Sequence, residues 1–441
     1  MSSDTWEKKK LIEVTTKIGS GSTPRGGSKS YKEFGIPFIR SQNIYNCEFN
    51  PSGLVFIDEE QAKKLSNVEL KKDDILLNIT GDSVARCTNV PNRFIGGRVN
   101  QHVSIIRADN EQLIPSFLKY YLVSSDMQEL MLSWAQSGGT RAALTKGMIE
   151  TFEIPLPSIE EQKSIVNVLS TLDEKIEKNK QINSKLEELA QTIFRQWFVD
   201  FEFPNEEGKP YKSSGGQMVE SELGLIPKGW EVTTFRSFTS NVLGGDWGME
   251  NEQGNYKKAI YCLRGADIPE VSEGRKGSLP KRYILEKNHK NKKLTSGDLV
   301  IEISGGSPTQ STGRITYIND LMLSKYDEDF VCTNFCRAVT LEDPLYMYYF
   351  YFYWKMLYEL NVFFQFENGT TGIKNLDINS FLDRFKIISP GLEKVRKFDA
   401  LISPIIDLIQ MNGNENLNLS RTRDTLIPKI MSGEIRVPFE N

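Results

Sequence analysis

Asp74-Ile75-Leu76-Leu77-Asn78-Ile79 returns later in the chain as Asp298-Leu299-Val300-Ile301-Glu302-Ile303, position 298 against 74, a shift of 224. Each copy begins with an aspartate in a polar turn and continues as an unbroken apolar run, the pattern of a strand buried on both faces. Gly81 falls on Gly305 at the same shift. Working towards the N-terminus, Phe38-Ile39-Arg40 lands on Cys262-Leu263-Arg264, Gly21 on Gly245, Val14 on Phe238, Leu11 on Phe235, and Trp6-Glu7 on Trp230-Glu231. Towards the C-terminus the shift drifts as loops differ in length. Asn100 is paired with Asn334, Gly139-Thr140 with Gly369-Thr370, and Pro157-Ser158-Ile159-Glu160 with Pro390-Gly391-Leu392-Glu393. The order never breaks, so the chain reads as one frame used twice rather than as two unrelated domains with common strand motifs.

Each half then has the same plan, and 441 residues allow each its own core. A globular segment comes first (1–157 and 221–390), with short apolar runs such as VSIIR and FCRAVT between Gly, Asn and Asp clusters. Helical stretches follow, PSFLKYYLVS and PLYMYYFYFYW. A long helix closes each half, in segments 158–220 and 391–441. In the first, Ile165, Leu169, Leu172, Ile176, Asn179, Asn183, Leu186, Ala190, Ile193 and Trp197 step by four and three, a heptad seam with asparagines near its middle. In the second, Leu392, Val395, Phe398, Ile402, Ile405, Ile406 and Ile409 precede an Asn-rich passage and then Leu419 and Leu426. The fold class expected is α+β: two similar α/β domains joined by two long antiparallel coiled-coil helices whose Asn-rich centres face each other. A helix broken at Asn412-Gly413-Asn414 is the alternative.

Composition narrows the chemistry. Five cysteines without CxxC spacing argue against a disulfide framework or a zinc site, and two histidines leave little for imidazole acid–base work. The start of the chain is polar, and the apolar stretch Tyr346–Phe366 is interrupted by Lys355, Glu359 and Asn361, so a buried aromatic helix is expected rather than a membrane span, with a cytoplasmic address. The net charge of −4 does not itself point to nucleic acid, for which a local basic face is what counts.

The repeated halves, each a variable globular domain followed by a long helix, resemble the specificity subunits of type I restriction–modification systems. Gln196-Trp197-Phe198-Val199-Asp200-Phe201 is similar to the family's central conserved segment, and Leu426-Ile427-Pro428-Lys429-Ile430-Met431-Ser432-Gly433-Glu434-Ile435-Arg436-Val437 to its distal one. Gly224-Leu225-Ile226-Pro227-Lys228-Gly229-Trp230 fits the start of the second recognition domain. The resemblance covers essentially the whole chain. It implies two target recognition domains, each reading half of a split double-stranded DNA site, and helices that space them and dock two methyltransferase subunits. It places S-adenosylmethionine in those partners, and ATP and Mg in separate motor-nuclease subunits. This chain would hold no cofactor, metal or catalytic residue. Neither a Gly-x4-Gly-Lys-Ser/Thr loop nor an Asn/Asp-Pro-Pro-aromatic tetrapeptide occurs in it.

Base readout needs Arg, Lys, Asn and Gln in loops. The first domain offers Arg40, Gln42, Asn43, Arg86, Arg93, Arg98, Gln101 and Arg141; the second offers Arg264, Arg275, Lys276, Gln310, Arg314 and Lys374. Arg40 and Arg264 coincide in the repeat and are expected to position phosphate or hold the scaffold. Gln42 and Asn43, facing Ala266 and Asp267, are the expected readers. Residues 159–197, if helical throughout, span roughly 58 Å at ~1.5 Å per residue, which bounds the half-site separation near 17 base pairs and makes about one DNA turn the expected spacing. Two other readings remain: a helical scaffold that pairs proteins without DNA readout, and a nuclease using Asp200, Glu207 and Lys209, a triplet that otherwise reads as a charged loop.

Overall fold

The aspartate that opens each repeated run acts as a turn clamp. Asp74 Oδ2 accepts the Lys71 N–H and Asp298 Oδ2 accepts the Thr295 N–H, both at 2.7 Å. Each clamp delivers the chain into a fully buried strand, Ile75–Asn78 and Leu299–Glu302. These contacts come from a computed structural model that describes residues 6–136, 142–305, 310–369 and 373–438.

The repeat predicted from sequence is a repeat of topology. In the first half an antiparallel sheet runs in the order Thr15–Ser20, Val103–Ala108, Ile75–Asn78, Cys87–Asn89; in the second, Thr239–Gly244, Cys336–Leu341, Leu299–Glu302, Ile315–Tyr317. A second sheet is also duplicated. Ile36–Ile39 pairs antiparallel with Val55–Ile57 and parallel with Arg98–Val99, as Tyr256–Leu263 pairs with Lys281–Leu285 and Phe330–Cys332. A two-stranded ribbon completes each half, Glu7–Lys10 with Glu153–Leu156 and Glu231–Thr234 with Lys386–Ser389. The same order and the same strand directions in both halves are the mark of one duplicated unit.

One sequence pairing shifts by a residue. The Asn100 N–H donates to Ile39 O and the Thr333 N–H to Leu263 O, while Val103 N–H and Cys336 N–H donate back to Asn100 O and Thr333 O. Asn100 therefore matches Thr333, and Gln101 matches Asn334; the loops are equal in length here, and the shared letter Asn was misleading. A Cβ on Gly21 would lie 2.2 Å from Asn100 O, and one on Gly245 2.1 Å from Thr333 O, so both glycines are required by a close strand approach. The pairing of Gly139-Thr140 with Gly369-Thr370 lies largely outside the described residues.

Ile159–Phe198 and Leu392–Met431 are each continuous helices of 40 residues. They do not form separate domains, as segments 158–220 and 391–441 would have them. The chain divides into Met1–Lys175 with Leu419–Asn441, and Ile176–Asn418. The cause is the apolar seam, which each globular segment uses as part of its own core. In the first unit Ile165, Leu169, Ile427 and Ile430 pack with Phe117, Leu118 and Tyr120. In the second, Ala190, Phe194 and Trp197 join Phe398, Ile402 and the aromatic helix Met347–Glu359. Within each unit the helices run antiparallel: Asp173 meets Arg423 in the first, and in the second Asn179 meets Asn416, Asn183 meets Asn412, and Trp197 meets Phe398.

The second helix passes through Asn412-Gly413-Asn414 without a break, because that passage is covered. A Cβ on Gly413 would sit 1.7 Å from Gly274 O, and one on Gly274 2.4 Å from Ile409 O. The Gly274 loop thus lies directly on the helix backbone. Around it Asn183 Nδ2 donates to Ile409 O and Glu273 O, Gln410 Nε2 to Val271 O and the Tyr317 hydroxyl, and Lys325 Nζ to Gly274 O and Gln410 Oε1. Asn412 Nδ2 donates to Asn183 Oδ1, the facing of asparagines that the seam predicts. Burial lowers the Lys325 ammonium to about 8.

Candidate nucleic-acid interface

The frame arginines Arg40 and Arg264 each follow the central strand of the three-stranded sheet and open a short helical turn, Ser41–Asn43 and Gly265–Asp267. The Arg40 N–H donates to Asn43 Oδ1 and the Arg264 N–H to Asp267 Oδ2, both at 3.0 Å. Asn43 and Asp267 are therefore the same cap in two chemistries. This corrects the reading of Asn43 as a base-reader. It is completely buried, and its amide also donates to Asn50 O and Ser52 O, so no polar atom of it is left to present. Gln42 is exposed between them, as is Ala266 in the other half. Arg40 donates to Gly53 O at 2.6 Å and stands over the Tyr31 ring; Arg264 grips Asp267 with two bonds of 2.8 Å, which raises its pKa.

A second pair of arginines is matched only by the structure. Asn78 N–H donates to Arg86 O and Glu302 N–H to Arg314 O, so Arg86 and Arg314 hold one position of the frame. Their surroundings differ. Arg314 lies in a two-bonded ion pair with the buried Glu302, Nε to Oε2 at 2.7 Å and Nη2 to Oε1 at 2.5 Å, which raises its pKa. Arg86 instead lies over the Tyr45 ring, 4.5 Å from its centroid. That ring is carried by the hairpin of Ile44–Tyr45 and Glu48–Phe49, pinned to the Cys87 strand by Asn46 Oδ1 accepting Cys87 N–H and Cys47 N–H donating to Cys87 O.

The remaining candidates divide between display and internal use. Gln101 is exposed at the loop where Ile79 N–H donates to His102 O and Thr80 Oγ1 meets His102 Nδ1 at 2.6 Å. Thr80 also bridges to Ala143, so the segment following Arg141 is joined to the strand end that contacts His102; Arg141 itself lies outside the described residues. Arg93 is exposed against Phe94. Arg98, expected as a DNA contact, is turned inward: it is 6% exposed and bonds Ala62 O, Gly96 O, Gly97 O and Glu69, closing the edge of its sheet.

In the second unit, Arg275 pairs with Glu270 and Glu273, Lys276 stands over Tyr326, and Lys374 pairs with Glu367 beside Phe364. Exposed Gln310 donates to the Tyr358 hydroxyl. The Lys/Arg-rich stretch 274–293 is less cationic than its sequence, since Lys281 and Lys293 meet Glu328 and Asp329. Sequence reasoning passed over Arg282, which lies 4.1 Å from the centroid of the half-exposed Trp247 ring. An Arg–aromatic alternation would have been its signal, but the partners are far apart in the chain. Asp200 lies in a loop where Lys209 pairs with Glu207, and among the described residues no group of three His, Cys, Asp or Glu is placed to hold a metal.

A duplicated frame whose scaffold contacts agree while exposed loop residues differ matches one known pattern. A family profile described as the type I restriction modification DNA specificity domain matches residues 3–188. The type I restriction enzyme MjaIX specificity subunit of Methanocaldococcus jannaschii is 29% identical, over 98% of this chain and 94% of its own length. The HindI specificity subunit of Haemophilus influenzae is 25% identical over 91% and 94%. Over nearly its whole length this chain is similar to type I restriction–modification specificity subunits. The crystal structure of the S subunit from M. genitalium has the same fold, with a TM-score of 0.51 and 15% identity over 100% of this chain and 98% of that one. Specificity subunits of this family are themselves non-catalytic. Among the described residues, no helix is long and apolar enough to cross a membrane.

Proposed function

We propose that this specificity subunit selects a two-part DNA sequence, each globular segment reading one half-site. The observation that carries this reading is the duplicated frame with unlike side chains at equivalent positions. Exposed Gln42 and Gln101 in one half correspond to exposed Ala266 and Asn334 in the other. Equal scaffolds with unequal displayed groups suit two different short sequences on one duplex. The two 40-residue helices, each about 60 Å long at ~1.5 Å per residue, suit a spacer that also docks two methyltransferase subunits. Those partners would carry S-adenosylmethionine, and motor-nuclease subunits ATP and Mg, within a cytoplasmic complex.

The test is methylome sequencing of host DNA with and without the gene for this chain. A gapped adenine motif should disappear on its removal; an unchanged methylome would refute the proposal. Electrophoretic shift with and without the methyltransferase partner separates DNA readout from a scaffold that only pairs proteins.

A further inference from the structure

The frame position shared by Arg86 and Arg314 is flanked by two others that change together. Ser41, Asn78 and Arg86 in the first unit correspond to Gly265, Glu302 and Arg314 in the second. In the second unit a Cβ at Gly265 would meet Glu302 Oε1 at 2.5 Å, so the glycine is what makes room for the carboxylate. Glu302 is 4% exposed, and it engages Arg314 with both oxygens through Nε and Nη2, so that edge of the guanidinium is spent on a buried carboxylate. In the first unit Ser41 stands where the glycine would be, and its carbonyl accepts Asn78 Nδ2 at 2.9 Å. Asn78 is fully buried, and its Oδ1 has no partner among the described residues. The Asn78 side chain makes no bond to the Arg86 guanidinium, which lies over the Tyr45 ring and takes no carboxylate among the described residues. A guanidinium fixed on a ring, with its donors unspent, is the state in which arginine recognises the O6/N7 edge of guanine.

We propose that the residue pairs 41/78 and 265/302 act as a selector: Ser-Asn leaves Arg86 available as a base-reading side chain in its half-site, and Gly-Glu withdraws Arg314 from reading in the other. This rests on the proposed function, and goes beyond it by naming one reader and one silenced equivalent in a common frame.

The experiment is selection of a randomised duplex library by the full chain with its methyltransferase partner, for wild type and variants of verified thermal midpoint. R86A should cost one base position of one half-site about 10-fold or more in preference and leave the other half-site intact. R86K should not restore that preference, because an ammonium lacks the two-donor edge; full rescue by R86K would mean a phosphate contact and overturn the proposal. The double variant S41G/N78E should reproduce R86A, and G265S/E302N should add a preference in the second half-site. Wild-type motifs from both doubles would overturn it. If either double fails to fold, R314A decides: an unchanged motif supports the proposal, and loss of a base preference overturns it. A wild-type chain that enriches no two-part motif refutes the proposed function itself, whereas a wild-type motif indifferent to R86A refutes only the selector.

Discussion

Replacing Gly413 by alanine sets two effects of opposite sign against each other. In the interior of a helix, Gly→Ala ordinarily stabilises by about 1 kcal/mol, because alanine loses less backbone entropy on folding. At Gly413 the new Cβ would lie 1.7 Å from the Gly274 carbonyl oxygen and 2.3 Å from its carbon, and the obstacle is backbone. Overpacking of this kind costs about 1–3 kcal/mol. The loop cannot lift freely, because Lys325 donates to Gly274 O, Asn183 to Glu273 O and Gln410 to Val271 O, and each buried group left unbonded costs about 1–3 kcal/mol. The steric and hydrogen-bond losses outweigh the helix gain, so Gly413→Ala should destabilise by about 1–4 kcal/mol. Gly147 supplies the control: it lies in the helix Lys146–Glu150 with nothing within 4 Å of a new Cβ, so Gly147→Ala should be neutral or stabilising by up to about 1 kcal/mol. Urea midpoints followed by circular dichroism give the sign, and hydrogen exchange at residues 268–276 reports whether the loop has lifted. A Gly413→Ala midpoint above wild type, or unchanged protection in that loop, would refute the reasoning.

Three further outcomes follow from buried polar groups. Asp173 binds Lys119 at 2.9 Å and Arg423 at 2.7 Å. Burial works against its carboxylate, but the two cations outweigh this and hold its pKa below the ordinary value. Asp173→Asn should therefore destabilise by about 3–5 kcal/mol at neutral pH. Because the folded pKa is depressed, this contribution is present above the unfolded carboxyl pKa and lost as pH falls through the folded one. The urea-midpoint gap between wild type and variant should close on acidification, and a gap independent of pH would count against the pairing.

The Lys325 ammonium is lowered by burial to about 8 from 10.5, so the unfolded chain binds more protons between those values and native stability from this group rises with pH across that window. Lys325→Met should flatten that rise in urea midpoints taken from pH 7.5 to 10; an equally steep rise in the variant would sink the assignment. Asn43→Ala removes a cap and two further donors, and should cost about 0.5–2 kcal/mol of stability while leaving base preference at the reading positions unchanged. A blurred half-site with wild-type stability would restore Asn43 as a reader.

The candidate site was only partly legible in advance. Comparing the two copies assigned Arg40 and Arg264 to phosphate positioning or scaffold, and in both halves the arginine N–H is bonded by the same cap position. The same comparison failed at Asn43, where Asn and Asp differ in letter but accept the same arginine N–H. Arg98, offered as a loop arginine, is instead spent on three carbonyls that come from the loop beside it and from a separate helix. Amide and carboxylate oxygens are equivalent as acceptors, and a guanidinium is equally suited to DNA or to a ring of carbonyls. Composition cannot separate those uses.

Duplication, buried central strands and long antiparallel helices were determined by the sequence alone, since each rests on periodicity or collinear order that survives without coordinates. Tertiary structure alone decided which polar groups are spent internally. Arg86 and Arg314 are nearly indistinguishable as sequence, yet one lies on Tyr45 and the other is held by Glu302. Their difference arises from side chains brought together across strands, where the glycine at 265 leaves room for the Glu302 carboxylate while Asn78 in the other half bonds the Ser41 carbonyl.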